Sequence, residues 1–182
     1  MGNILNMRAD NFLEGFQDFI KHLKATENLS EFIIVEIGSY IGQSTMMFAD
    51  EAKIVISVDP FMNDYDKYDD ACHAADIPTE VYQKFLENTA SYKNISHIKM
   101  TSDAAIKALE NIKIDMLYID GVHTYDQVKK DIENYKSIVK PGGLICGHDY
   151  CPAFQGVMDA VDEAFGKPDL TFVDNTWVVK TK

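Results

Sequence analysis

The sequence predicts an α/β protein, a mostly parallel sheet with helices packed on both faces. Three observations carry this. Short β-rich apolar runs alternate with helical periodicity through most of the 182 residues. Acidic residues stand at four of the five ends of the internal β runs, on the edge where an open α/β sheet holds its ligand. The last two β runs, Leu170 to Val173 and Trp177 to Val179, flank Asp174-Asn175 as the arms of a hairpin, so the sheet closes with an antiparallel strand.

Taken in order, Phe12, Phe16, Phe19, Ile20 and Leu23 recur at helical offsets and predict an amphipathic helix over 12–23. Phe32 to Ile37 reads as a buried strand, Gly38 to Gly42 as a turn, and a helix starts near Gln43. Ile54 to Val58 is a second strand that stops at Asp59-Pro60. Residues 61–77 are rich in Asp and Tyr without a period, which predicts a loop over the site, and Tyr82, Phe85, Leu86 and Thr89 mark the next helix. His97 to Met100 is read as the third strand, with Ser102 capping a helix that carries Ile106 and Leu109. Ile114 to Ile119 is the fourth strand. Thr124 opens a long helix with Tyr125, Val128, Ile132, Tyr135 and Ile138 on one face. Pro141-Gly142-Gly143 is expected to stop that helix ahead of a fifth strand, Leu144 to Cys146. Residues 153–165 put Phe154, Val157, Met158, Val161 and Phe165 on one helical face.

Length predicts one domain over residues 1–182, with 1–30 as a helical appendage. Hydrophobic residues at 46% and charged residues at 25% match an ordinary globular protein, and no run of about 20 apolar residues offers a membrane span. The N-terminal segment lacks the basic-then-apolar order of a signal peptide. The three cysteines (Cys72, Cys146, Cys151) form no paired motif, so a cytoplasmic setting with reduced thiols is expected. Seventeen Lys+Arg against 29 Asp+Glu give a net charge of −12, a surface that repels nucleic-acid backbones and anionic membranes. Arg8 is the only arginine, so bidentate phosphate clamps are nearly absent. The expected partner is a neutral or cationic small molecule, and the chain is compatible with a homo-oligomer.

The turn after the first strand reads Glu36-Ile37-Gly38-Ser39-Tyr40-Ile41-Gly42. Its glycines serve either a tight strand-to-helix turn or the close approach of a ligand to the backbone. Tyr40 and Gln43 stand where a dinucleotide site wants glycines, and Glu36 would oppose a pyrophosphate. S-adenosylmethionine carries no phosphate, and its ammonium and sulfonium groups favour nearby acids. Asp59 ends the second strand, where a carboxylate accepts ribose hydroxyls or caps a turn. Ser102-Asp103 after the third strand suits either an adenine edge or a helix start. Asp120 and Asp149 end consecutive strands; as sheet neighbours they would lie about 4.8 Å apart and need a proton, a cation or a cationic ligand between them. His123 stands three residues beyond Asp120 and is the natural proton acceptor.

The segments VEIGSYIGQST, SVDPF, YIDGVHTYDQVKKDI and KPGGLICGHDY together resemble the class I S-adenosylmethionine-dependent methyltransferases. Within them the chain is most similar to the small-molecule O-methyltransferase branch with macrocin-type and cephalosporin-hydroxylase-like proteins, over roughly residues 32–180. The resemblance implies a Rossmann-like three-layer sandwich whose seven-stranded sheet has the order 3-2-1-4-5-7-6. It implies that Glu36, Gly38, Ser39 and Gly42 line the methionine end of the cofactor, that Asp59 holds the ribose, and that Ser102 and Asp103 neighbour the adenine. It further implies His123 as base, Asp120 beside both cofactor and acceptor, and Asp120 with Asp149 as ligands of Mg²⁺. One departure stands out: the metal-binding relatives carry a second acid just before the position of Asp149, and this chain has His148.

The resulting expectation is methyl transfer from S-adenosylmethionine to a hydroxyl of a small molecule such as a sugar, with Tyr65, Tyr68 and His73 as loop residues touching it. Two alternatives share the sheet: a non-catalytic protein binding the cofactor or a nucleoside, and an NAD-type oxidoreductase.

Overall fold

The computed structural model describes residues 10–62, 68 and 78–182. Helix α1 (Asp10–Thr26) leads through one 3-10 turn into β1 (Ile33–Ile37), α2 (Gln43–Ala49) and β2 (Ile54–Val58). Then follow α3 (Pro78–Thr89), β3 (Ile95–Ile98), α4 (Ser102–Leu109), β4 (Ile114–Ile119), α5 (Tyr125–Tyr135) and β5 (Val139–Gly147). A second 3-10 turn precedes α6 (Gln155–Phe165), and β6 (Leu170–Thr171) and β7 (Trp177–Lys180) close the chain. No helix among the described residues is long and apolar enough to cross a membrane.

The strands form one sheet in the order β3-β2-β1-β4-β5-β7-β6, the order the family resemblance implies. Strands β1 to β5 run parallel, while β7 runs antiparallel to β5 and β6 antiparallel to β7. Alternation along the strands sorts the side chains to two faces. Ile34, Val55, Met116, Tyr118 and Leu144 pack with α1 and α2 on one side. Val35, Ile37, Val58, Leu117, Ile119 and Ile145 pack with α4, α5 and α6 on the other. A third cluster of Ile41, Phe61, Val81 and Phe85 ties α3 to the carboxyl edge.

The parallel ladder runs one residue past the strands at that edge. Gly38 N donates to Val58 O at 2.9 Å, Asp59 N to Ile98 O at 3.2 Å, Asp120 N to Ile37 O at 2.8 Å and His148 N to Ile119 O at 3.0 Å. Four residues singled out in the sequence are thus fixed in a row by hydrogen bonds to the neighbouring strand.

Helix α1 is part of the core, not an appendage. Phe16, Phe19 and Leu23 are at most 1% exposed, and Phe19 stacks on Tyr118 with ring centroids 6.0 Å apart. Burying side chains of this size contributes about 1.5–3 kcal/mol each. Gly15 allows the approach, because a Cβ there would lie 2.6 Å from Asp174 N.

Several boundaries differ from expectation. Strand β3 spans 95–98 and not 97–100: as an edge strand it takes its register from β2 alone, Val55 facing Ile95 and Val58 facing Ile98. Its chain then turns through a Met100 N to Ile98 O bond. Ser102 is the first residue of α4, with Thr101 at the cap position and no side-chain cap bond. Helix α5 ends at Tyr135, and Pro141-Gly142-Gly143 lies inside β5. There the register jumps from Ile114 opposite Val139 to Met116 opposite Leu144. A bulge needs the same residues that usually stop a helix: Gly142 has φ +77°, and a Cβ on Gly143 would meet Asp115 O at 2.8 Å. Within the expected loop over 61–77, Phe61, Met62 and the exposed Tyr68 are described, whereas Tyr65 and His73 lie outside the described residues.

Candidate functional site

The site grows out of the four strand ends. Gly38 adopts φ +83°, and a Cβ on it would sit 2.0 Å from Asp120 O, so only glycine lets the β1 turn pass beneath the β4 loop. The Asp59 carboxylate holds the same turn from the other side. Its Oδ2 accepts Ser39 N at 2.9 Å and Tyr40 N at 3.0 Å, and its Oδ1 accepts Phe61 N at 2.7 Å. Burial pushes the Asp59 carboxyl above its ordinary value, and these donors only partly offset that. The Ser39 hydroxyl bonds the same carboxylate, so its roughly four acceptor positions are matched by four donors, and a ligand hydroxyl would share an oxygen with one of them.

A cleft of about 890 Å³, counted to its open mouth, lies over these ends. Gly38, Asp59, Ser102 and Asp120 line it, together with Pro60, Phe61, Met62, Val122, Gln127 and Asp131, which the sequence reading had not singled out. Neither Lys nor Arg lines it among the described residues. A phosphate-bearing dinucleotide would find acids and no cation there, while a sulfonium and an ammonium fit the charge. The cradle left by Gly38 and the acids facing the cleft therefore suit S-adenosylmethionine.

Four expected cofactor residues lie elsewhere. Glu36 is 0% exposed and accepts the hydroxyls of Ser44 and Thr45, which places it under the floor of the cleft. Ser39 is buried with its hydroxyl accepting from Ser57 at 2.8 Å. Gly42, at φ +86°, makes room for Phe85 and Thr89. Asp103 faces away, paired with Lys130 Nζ at 2.5 Å and accepting from Asn134 at 3.3 Å.

Beyond Asp120 the chain builds a second cluster. His123 Nε2 stands 2.9 Å from Asp149 Oδ2, and His148 Nδ1 stands 3.1 Å from Asp149 Oδ1 and 3.8 Å from Asp120 Oδ1. Behind it, His148 Nε2 lies 3.8 Å from the fully buried Asp174. Burial opposes ionisation of Asp149, but its hydrogen bonds to His123 and His148 hold the carboxyl well below the usual range. Asp149 has φ +61°, which turns its carboxylate back towards both imidazoles. The ring of His123 lies against Phe154, centroids 4.5 Å apart. Asp120, Gly121 and Val122 form the wall shared by the large cleft and a small cavity beside His123 and His148.

Asp120, His123 and Asp149 each offer a ligand atom within 4.8 Å of the others, so the two aspartates do converge with the histidine. The set does not fit Mg²⁺. That ion asks for six oxygens near 2.1 Å, and here both Asp149 oxygens face imidazole nitrogens while His148 occupies the place of an acid. Asp149 serves as the anchor of two histidines. The donor set weighs against the expected magnesium site, and no step is derived through a metal.

Of the residues missed in the sequence, Gln127 and Asp131 had a readable signal. They lie at i, i+4 on α5 beside Val128 and Ile132, on the border of its buried stripe. Asp174 had none, because its burial depends on where α1 and the β6–β7 turn meet.

Residues 35–150 match the methyltransferase domain family. An uncharacterized protein of Sinorhizobium fredii is 28% identical over 123 residues, covering 64% of this chain and 13% of that protein. An uncharacterized protein of Acanthamoeba polyphaga mimivirus is 30% identical over 148 residues, covering 72% of this chain and 60% of that one. The chain thus spans less than two thirds of either relative. Among solved structures, the O-methyltransferase NovP superposes with a TM-score of 0.67 at 17% identity, over 97% of this chain and 82% of that one. CalS11, a TDP-rhamnose 3'-O-methyltransferase of calicheamicin biosynthesis, gives 0.61 at 14%, over 93% and 78%. The N-methyltransferase NodS of Bradyrhizobium japonicum, in complex with S-adenosylhomocysteine, gives 0.64 at 16%, over 98% and 92%. These three likenesses are of fold.

Proposed function

The chain belongs to the methyltransferase domain family, and we propose that it is an S-adenosylmethionine-dependent methyltransferase that acts on a hydroxyl of a small molecule, with a sugar as the leading class. Membership in this family weighs against the oxidoreductase reading, and the paired His123 and Asp149 weigh against a non-catalytic binding protein. The observation that carries the hydroxyl assignment is the His123–Asp149 contact of 2.9 Å beside the wall of the cleft. An alcohol must lose its proton as it attacks, and a carboxylate-anchored imidazole accepts it.

Asp59 and Gly38 would hold the ribose and methionine portions, and Asp120, which lines the cleft at the end of β4, would supply negative charge for the cationic centre. Bound there, S-adenosylmethionine supplies a methyl carbon whose bond to sulfur breaks as its bond to the acceptor oxygen forms, leaving a neutral thioether. His123, its Nε2 set 2.9 Å from Asp149 Oδ2, is the imidazole that takes the acceptor proton. Asp149 stabilises the imidazolium that results, and His148 holds the other Asp149 oxygen in place. Catalysis is then chiefly alignment plus one proton transfer. The sugar class draws support from the printed activity of CalS11 among the structural neighbours. Among the described residues the acidic cleft wall holds no lysine or arginine, which also favours a neutral hydroxylated acceptor.

The test is a mass-spectrometric screen of pooled hydroxylated metabolites with methyl-labelled S-adenosylmethionine. The label is expected on an oxygen. Label found only on nitrogen would replace this acceptor class.

A further inference from the structure

A small cavity adjoins His123 and His148, behind the wall that Asp120 shares with the cleft and between α5, α6 and Trp177. Trp177 stands opposite Gly147 in the β5–β7 ladder. A Cβ on Gly147 would lie 2.7 Å from Trp177 Nε1, so the glycine lets the nitrogen edge of the indole reach the residue just before His148. Trp177 is 0% exposed, and its Nε1–H finds no acceptor within hydrogen-bond distance among the described residues. Left so, the donor bears the full cost of its lost hydration. The cavity measures about 10 Å³, room for one water molecule and nothing larger. Its polar walls are Asp120, His123 and His148, so a water that accepts from Trp177 has partners for its own hydrogens.

On the reading that His123 is the base, we propose that this cavity binds one ordered water, held by Trp177 Nε1–H against the His148 imidazole, and that Trp177 thereby positions the base through His148 and Asp149. The contacts run in series. The water fixes the His148 ring, His148 Nδ1 stands 3.1 Å from Asp149 Oδ1, and Asp149 Oδ2 stands 2.9 Å from His123 Nε2. His148 Nε2 stands 3.8 Å from Asp174 Oδ2, too long for a direct hydrogen bond, so that pair alone does not fix the ring. A water bonded on several sides in a closed polar cavity is a lasting part of a fold. Trp177 does not line the cleft, so its influence on the reaction passes along this row and not through contact with cofactor or acceptor.

Trp177 is the only tryptophan of the chain, so indole-specific labels and analogues act at this site alone. With isotopically labelled tryptophan the wild-type chain gives one indole N–H resonance, and a rotating-frame Overhauser experiment is expected to show its cross-peak to water. Absence of that cross-peak overturns the site. Two replacements remove the donor: Trp177→Phe, and exchange of the indole for its benzothiophene isostere, which keeps the shape and puts sulfur in place of N–H. Thermal melting shows which of the two is folded. In the folded protein the single-turnover rate of methyl transfer should fall about 10-fold, the effect of one hydrogen bond on a barrier, with S-adenosylhomocysteine affinity unchanged. A rate equal to that of wild type, or an equal loss of rate and affinity, overturns the positioning role. If His123→Ala transfers methyl as fast as wild type, the base reading falls and the positioning role with it, while the water cross-peak persists; the two failures are thus told apart.

Discussion

Asp149 Oδ2 stands 2.9 Å from His123 Nε2 while Asp149 Oδ1 stands 3.1 Å from His148 Nδ1, so one carboxylate sets two imidazoles at the carboxyl end of β5. Replacing it should cost catalysis more than folding. Asp149→Asn is expected to lower turnover by about 10²–10⁴-fold, the usual worth of a positioned base, with S-adenosylhomocysteine affinity little changed. Steady-state kinetics beside calorimetry separate the two. The depressed Asp149 carboxyl also contributes stability that is present above its ordinary value of 3.8 and lost as pH falls through its lower folded value. Urea unfolding across the acid range should show a smaller loss for the variant than for wild type.

Asp59 joins the β1 turn to the β2 end through three backbone donors. Asp59→Ala should therefore weaken S-adenosylhomocysteine binding by about 1–3 kcal/mol and lower the melting temperature as well, because the donors are left without their acceptor. Unchanged affinity would remove Asp59 from the ribose.

Gly38→Ala forces a Cβ to within 2.0 Å of a backbone oxygen at φ +83°. The strain should exceed about 2 kcal/mol and push the β1 turn off the β4 loop, abolishing cofactor binding. A folded variant that still binds S-adenosylhomocysteine normally would contradict the close approach.

Asp131 gives a pH dependence of the opposite sign to that of Asp149. Burial raises its folded pKa to about 7, above the ordinary 3.8, so the folded state holds the proton more tightly than the unfolded chain. Its destabilising contribution grows as pH rises between those two values and is complete above them. The stability of Asp131→Asn relative to wild type should rise by up to about 4 kcal/mol between pH 4 and pH 8, at 1.36 kcal/mol per unit. Urea midpoints at the two pH values measure this, and a constant difference would place Asp131 in a wetter setting.

Both Asp149 oxygens face imidazoles, so a chelator should leave turnover and S-adenosylhomocysteine binding unchanged, and Mg²⁺ should give no binding heat. Stoichiometric Mg²⁺ uptake would show that the histidines yield to the ion.

The buried strands were legible because each is a short apolar run ending in a marked residue, as Ile54 to Val58 ends in Asp59, whereas their order was implied by the family resemblance. The β3 boundary was not, since an edge strand with His97 exposed has no two-sided apolar signature. Pro141-Gly142-Gly143 misled because a bulge and a helix stop share their residues. At the site, strand-end residues such as Gly38, Asp59 and Asp120 were legible by position. Glu36 and Asp103 were not, since their side-chain directions depend on Ser44, Thr45 and Lys130, partners that only the fold brings near. The convergence of Asp149 with His123 was readable, but its two oxygens being shared between two histidines was not.

In the proposed reaction His123 is the base for methyl transfer to oxygen. The most direct measurement is the single-turnover rate of labelled-methyl transfer to a hydroxyl acceptor, for wild type and His123→Ala at saturating S-adenosylmethionine. A loss of about 10²–10⁴-fold in the variant, with the cofactor bound equally well, is the predicted result. An equal rate in the two proteins would contradict it.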